Sequence, residues 1–105
     1  ELGNGMALYH IAEELLAAGN LEEAVTYMKK AAESEFAPAF NKLGELALDG
    51  KCGDAAAAAE YFKSGTAMMD AAAMENLAKL YEDGHGVRKN LKKAQSLREE
   101  IAAIQ

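Results

Sequence analysis

Tryptophan is missing from this 105-residue chain, and cysteine and proline occur once each, as Cys52 and Pro38. A lone cysteine excludes an internal disulfide and favours a reducing compartment such as the cytoplasm. With a single proline and few β-branched residues, little interrupts a helix, and twenty-three alanines favour helix almost everywhere. No apolar run approaches the roughly 18 residues of a membrane span, and no secretion-signal pattern opens the chain. Positive charge is scarce too: 11 Lys and Arg face 17 Asp and Glu, a formal net charge of −6. General binders of nucleic acid or of anionic membrane need positive surface, so neither role is expected.

What is present suits one helical domain. Half of the residues are apolar, far above the level of a disordered tail. The length lets a single domain bury a usable core. The chain begins at Glu1 rather than methionine, which suggests a piece of a longer protein. Charge is uneven along it: residues 1–87 hold 15 acids and 6 bases, residues 88–105 hold 2 acids and 5 bases.

A sentence is repeated three times, in residues 7–33, 39–65 and 73–101. Each stretch pairs a large apolar residue with a small one: Ile11 with Ala12, Leu43 with Gly44, Leu77 with Ala78. Each then reaches a glycine suited to a left-handed helix C-cap: Gly19, Gly50, Gly84. After the connector come Ala24, Ala58 and Ala94, with Tyr27, Tyr61 and Leu97 three positions on and Ala31, Gly65 and Ile101 four beyond those. The units are spaced by 32 and then 34 residues. Small residues let antiparallel helices approach closely and bulky ones fill the spaces between, which explains the recurrence. Six helices follow, at about 5–18, 21–34, 38–49, 55–68, 71–83 and 91–104. Asn20, Asp54 and Asn90 suit N-caps, Asn20 with Glu23 approximates a capping box, and Pro38 suits a first turn.

The pattern resembles tetratricopeptide-type repeats, and more closely their Sel-like relatives, whose longer connector typically reads G-x-G-V. Residues 77–94, LAKLYEDGHGVRKNLKKA, fit that form at Leu77, Tyr81, Gly84, Gly86, Val87, Asn90, Lys93 and Ala94. The central unit keeps the long connector, DGKCGD, without the valine, and the first has the short GN connector of an ordinary tetratricopeptide repeat. Two features depart from the family. Some secreted members staple each repeat with a cysteine pair, which this chain cannot do. Gly65 stands inside a helix where alanine is usual, at a cost of about 1 kcal/mol and with a kink or shortening expected. The resemblance implies an all-α, right-handed superhelix of three helix-turn-helix units, approximately 5–36, 37–70 and 71–105, in one repeat domain.

Chemistry-bearing motifs do not assemble into a site. The glycines around His85 match neither a dinucleotide loop nor a P-loop, and turning the chain between helices accounts for them. Glu82-x-x-His85 lacks the second pair and further glutamates of a di-iron centre, and Gly84 is placed to end the helix first. His10 with Glu13 and Glu14 is the kind of set that solvated helix faces produce, and the stretch from Asp49 to Glu60 has Lys51 and Asp54 where a calcium loop needs other residues. Cys52 is placed in an exposed connector, where Lys51 would favour its thiolate, but no histidine shares that connector. The five methionines suit helix packing. No catalytic site, metal or cofactor is expected.

A curved stack of helix pairs offers its first helices as an extended concave surface. The resemblance implies groove-facing positions at Tyr9, Glu13 and Leu16, at Asn41, Glu45 and Leu48, and at Glu75, Lys79 and Glu82. Four carboxylates against one ammonium favour a basic, partly apolar segment of a protein partner. The expected function is therefore a protein-interaction scaffold or adaptor. The alternatives are a regulatory or substrate-docking module of a larger enzyme, and a self-associating structural repeat. The first helix is apolar on more than one face, through Met6, Leu8, Tyr9, Ile11, Leu15 and Leu16, whereas the last has one stripe, Leu91, Ala94, Leu97, Ile101 and Ile104, opposite Lys92, Gln95, Arg98 and Glu99. The N-terminal end is thus the less finished one, because a preceding repeat is missing or because it meets another chain. Arg88, Lys89, Lys92 and Lys93 form a small basic cluster suited to phosphate or an acidic partner, too small to suggest nucleic-acid binding.

Overall fold

The computed structural model describes residues 4–104. Six helices account for most of them: α1 (Gly5–Ala17), α2 (Leu21–Glu33), α3 (Ala37–Leu48), α4 (Ala55–Ala67), α5 (Ala71–Asp83) and α6 (Leu91–Ile104). No strand occurs among the described residues. α1 packs on α2, α3 on α4 and α5 on α6, while α2–α3 and α4–α5 contacts join successive pairs. A smaller α3–α5 contact puts first helices of neighbouring pairs side by side. The result is an elongated α-α solenoid of 40 × 27 × 18 Å.

The helix ends follow from local chemistry. Asp54 accepts from the Ala57 amide at 2.9 Å and Asn90 from Lys93 at 3.0 Å, as N-caps do. Asn4 and Asp70 do the same for α1 and α5, at 3.1 and 3.0 Å. Asn20 differs from expectation: its backbone carbonyl starts α2, but its side chain makes no capping bond. Helices α1 to α4 all end in paired bonds of the Schellman type, such as Gly19 N–H to Leu16 and Asn20 N–H to Leu15. In α2 and α4 the left-handed residue is not glycine but Glu35 and Met69, both at φ 61°.

Two clusters of buried apolar residues make one continuous interior. One gathers Ala12, Met28, Ala31, Ala39 and Leu43; the other gathers Phe62, Ala73, Met74, Leu77, Ala94 and Leu97. The small-residue columns have a steric cause. A methyl group on Gly44 would stand 2.3 Å from the Phe62 ring, so glycine there lets the Phe62 side chain of α4 pack directly on the α3 backbone. Gly65 works the same way against Ala73, at 2.6 Å, and α4 runs through it to Ala67. The cost of glycine there is thus the condition for α5 to approach, and the helix is not shortened at that point.

α6 departs from its expected stripe. Ala94 and Leu97 are buried and Ile101 half-buried, but Leu91 and Ile104 are exposed. Arg98, expected on the outer polar face, folds back onto α5.

Candidate partner-docking surface

The connector that carries His85 is held by packing. Gly84 caps α5 at φ 67°, the His85 amide bonds Leu80 at 3.1 Å, and the Asn90 amide bonds Tyr81 at 2.8 Å. Gly86 combines φ 77° with an approach so close that a Cβ would lie 2.2 Å from the Ala55 carbonyl oxygen. Both the backbone angle and the space require glycine, so the loop is clamped onto the start of α4. Next to it a cavity of about 410 Å³ is lined by residues including Lys63, Arg88, Asn90 and Lys93, with Lys93 over the Tyr81 ring at 5.3 Å. His85 is exposed.

The nine groove positions divide into two groups. At the N-terminal end, Tyr9 leans on Phe36 with ring centroids 5.2 Å apart. Its phenol is pushed up to about 12, first by burial and then by the negative charges of Glu13, Glu45 and Asp70. Those three carboxylates come from α1, α3 and the cap of α5, one from each helix pair. Glu13 has the exposed His10 at 3.8 Å, and Glu45 has Lys42 at 3.9 Å and the Asn41 amide at 3.3 Å. Asn41 in turn accepts from Asn76 of α5 at 2.8 Å, tying two first helices together across the surface. Leu16 is half-buried against the first core cluster.

At the C-terminal end the charges are satisfied internally. Arg98 reaches from α6 to Glu75 at 2.8 Å and to Glu82, spanning two turns of α5. Bonding to that guanidinium holds the Glu75 carboxyl below the usual range. Lys79 and Leu48 are exposed. Acidic character therefore concentrates around Tyr9, and half of the expected carboxylates are drawn to the end of the stack. Arg98 was not among the candidate residues. Its signal was present, because it occupies the repeat position of Met28 and Phe62, one after the Tyr27, Tyr61, Leu97 column.

Cys52 also differs from expectation. It is half-buried against both core clusters, with Sγ 3.6 Å from the Leu43 carbonyl oxygen. Burial raises its pKa, and Lys29 offsets this only in part, so the thiolate is disfavoured. No group of three or more His, Cys, Asp or Glu among the described residues could hold a metal ion. No helix among them is long and apolar enough to cross a membrane.

Stacked antiparallel helix pairs with small residues at the crossings define the class, an α-α repeat solenoid. More particularly, the chain has the Sel1-like repeat fold. A solved Sel1 repeat protein from Oxalobacter formigenes superposes with a TM-score of 0.86 over 97% of this chain and 81% of that one, at 22% identity. No protein-family model matches the sequence, and no curated protein matches it.

Proposed function

We propose that this domain is a non-catalytic protein-interaction module that docks a basic, partly apolar segment of a partner across its first helices. One observation carries the reading: carboxylates from all three helix pairs bear on the half-buried phenol of Tyr9. A lysine or arginine of the partner would lie over the aromatic ring, within reach of Glu13 and Glu45. An apolar neighbour would then meet Leu16 or the exposed Leu48. The cations already at this end are held at longer range than Arg98 is at the other: Lys42 lies 3.9 Å from Glu45, and the exposed His10 lies 3.8 Å from Glu13.

The test is an unbiased peptide-display selection against the domain and against a Tyr9→Ala, Glu45→Lys variant with intact helicity. Basic, apolar-anchored peptides should enrich on the parent and be lost on the variant. Glu45→Lys alone should weaken such a peptide by about 10- to 100-fold, the worth of a charge-assisted contact. Glu75→Gln should change affinity little, because that carboxylate is already paired with Arg98, which keeps Glu82 as a partner. Equal binding by parent and variant would overturn the assignment of this surface.

A further inference from the structure

At the start of α6 the repeat reverses its charge. The first turn of α2 carries Glu22 and Glu23, as the positive end of a helix dipole prefers. The equivalent positions of α6 are Lys92 and Lys93, and its first turn holds no acidic residue. Cations at that end cost stability, and an anion placed beside them offsets the cost. The cavity next to the clamped connector supplies a place for one.

That cavity is walled by the second and third helix pairs. Glu60 and Lys63 come from α4, Tyr81 from α5, Arg88 and Asn90 from the connector and Lys93 from α6. The fold thus sorts the basic cluster of the sequence: Arg88 and Lys93 line the cavity, Lys89 and Lys92 do not, and Lys63 joins from the preceding pair. Lys63 is paired with Glu60 at 3.3 Å, whereas Arg88 and Lys93 make no ion pair among the described residues. Three bases against one carboxylate leave two positive charges in excess, in a chain whose net charge is −6. Asn90 Oδ1 accepts from the Lys93 amide at 3.0 Å, and its Nδ2 makes no bond among the described residues. Gly86 locks the connector onto Ala55, so the backbone that carries Arg88 is held before any ligand arrives. A cavity at the equivalent place in the first joint has Lys29 and Lys51 with Glu22, so the recess belongs to the repeat and the larger cationic excess to this joint.

We propose that this cavity is a binding site for a phosphorylated side chain of a protein segment. A phosphate monoester carries close to two negative charges at neutral pH, which matches the excess. Arg88 offers a planar fork to two of its oxygens, Lys63 and Lys93 supply point charges, and Asn90 supplies an amide donor. A second cavity, of about 250 Å³, shares Tyr81 and Lys93 with the first and is lined also by Leu77, Ser96, Leu97 and Glu100. An apolar residue next to the phosphorylated one would sit there on the two leucines, and that continuity favours a protein segment over a free phosphate. Residues 1–87 hold 15 acids and 6 bases, a balance that repels the extended polyanions of nucleic acid and anionic membrane. The site is separate from the surface around Tyr9, and the selection described for that surface can fail without bearing on this one.

The probes are peptide libraries with a fixed central phosphoserine, phosphothreonine or phosphotyrosine, each paired with its unphosphorylated twin, captured on the immobilised chain. At least one phosphorylated library should be retained and its twin lost, with an apolar residue selected beside the phosphorylated one. The best peptide should shift the amides of Gly86 to Lys93. Arg88 and Lys93 are exposed, so Arg88→Gln and Lys93→Gln leave the core untouched. Each should weaken the peptide at least about 10-fold, the worth of a charge-assisted contact. Lys89→Gln and Lys92→Gln, outside the cavity, should change it less than about 3-fold. Equal retention of every library and its twin would overturn the proposal, as would a phosphopeptide that binds the Arg88→Gln, Lys93→Gln double variant as well as the parent. Inorganic phosphate binding as tightly as the best peptide would overturn it by assigning the cavity to a free anion. Tighter binding of phosphatidylserine vesicles or of duplex DNA would do so by assigning these bases to a membrane or to nucleic acid.

Discussion

Tyr9 is a half-buried phenol beside Glu13, with Glu45 and Asp70 adding negative potential, and each of these disfavours the phenolate. Its ionisation is raised from about 10 to about 12, so the stability it lends is complete below pH 10 and is lost as pH rises through 12. An ultraviolet titration should show a late phase near pH 12 that Tyr9→Phe removes. A bound basic peptide should move that phase to lower pH, because a cation beside the ring favours the phenolate. Cys52 gives a second check at this scale. With its thiol packed on the core and its pKa raised, labelling by a disulfide reagent at pH 8 should be much slower in the folded protein than in denaturant. Comparable rates would mean that the connector does not hold the sulfur inward.

At the level of elements, the helices end where local chemistry tells them to, with one expense. Left-handed backbone costs a residue with a side chain about 1–2 kcal/mol, and α2 and α4 both pay it, at Glu35 and Met69. Met69 is 55% exposed, so little packing is lost when it is replaced. Met69→Gly should therefore raise unfolding free energy by about 0.5–1 kcal/mol, the gain being reduced by the greater freedom of glycine in the unfolded chain. A denaturant midpoint decides it, and a lowered midpoint would show that the methionine side chain contributes packing worth more than the strain. Gly44 marks the opposite case, a glycine whose replacement by alanine the Phe62 ring forbids.

For the molecule as a whole, the distribution of charge matters more than its total. Among the 17 acids behind the net charge of −6, Glu75 and Glu82 are paired with Arg98 at the C-terminal end, while Glu13, Glu45 and Asp70 put negative potential on Tyr9. The Glu75 carboxyl, held low by Arg98, contributes stability at pH values above the unfolded carboxylate range and loses it as pH falls through its lowered value. Urea unfolding at pH 7 and pH 3 should show a smaller acid-induced loss for Arg98→Met than for the parent chain.

The three-fold recurrence of Ile11-Ala12, Leu43-Gly44 and Leu77-Ala78, each followed by a capping glycine, was enough to locate six helices and their pairing. Helix period, caps and small-residue columns act over a few residues, so they are written locally in the chain. Asn20 escaped this reading only in its side chain, because whether an N-cap residue turns inward is decided by competing contacts. What tertiary structure alone decided involves partners far apart in sequence. Arg98 meets Glu75 and Glu82 across 23 and 16 residues, and it removes from the groove two carboxylates that looked free. Asp70 joins Glu13 and Glu45 around Tyr9 although it lies in a connector. Cys52 turns its sulfur toward the Leu43 carbonyl rather than toward solvent. Each of these depends on how one pair sits on the next, and Coulomb interactions and desolvation are set by that spacing rather than by residue order.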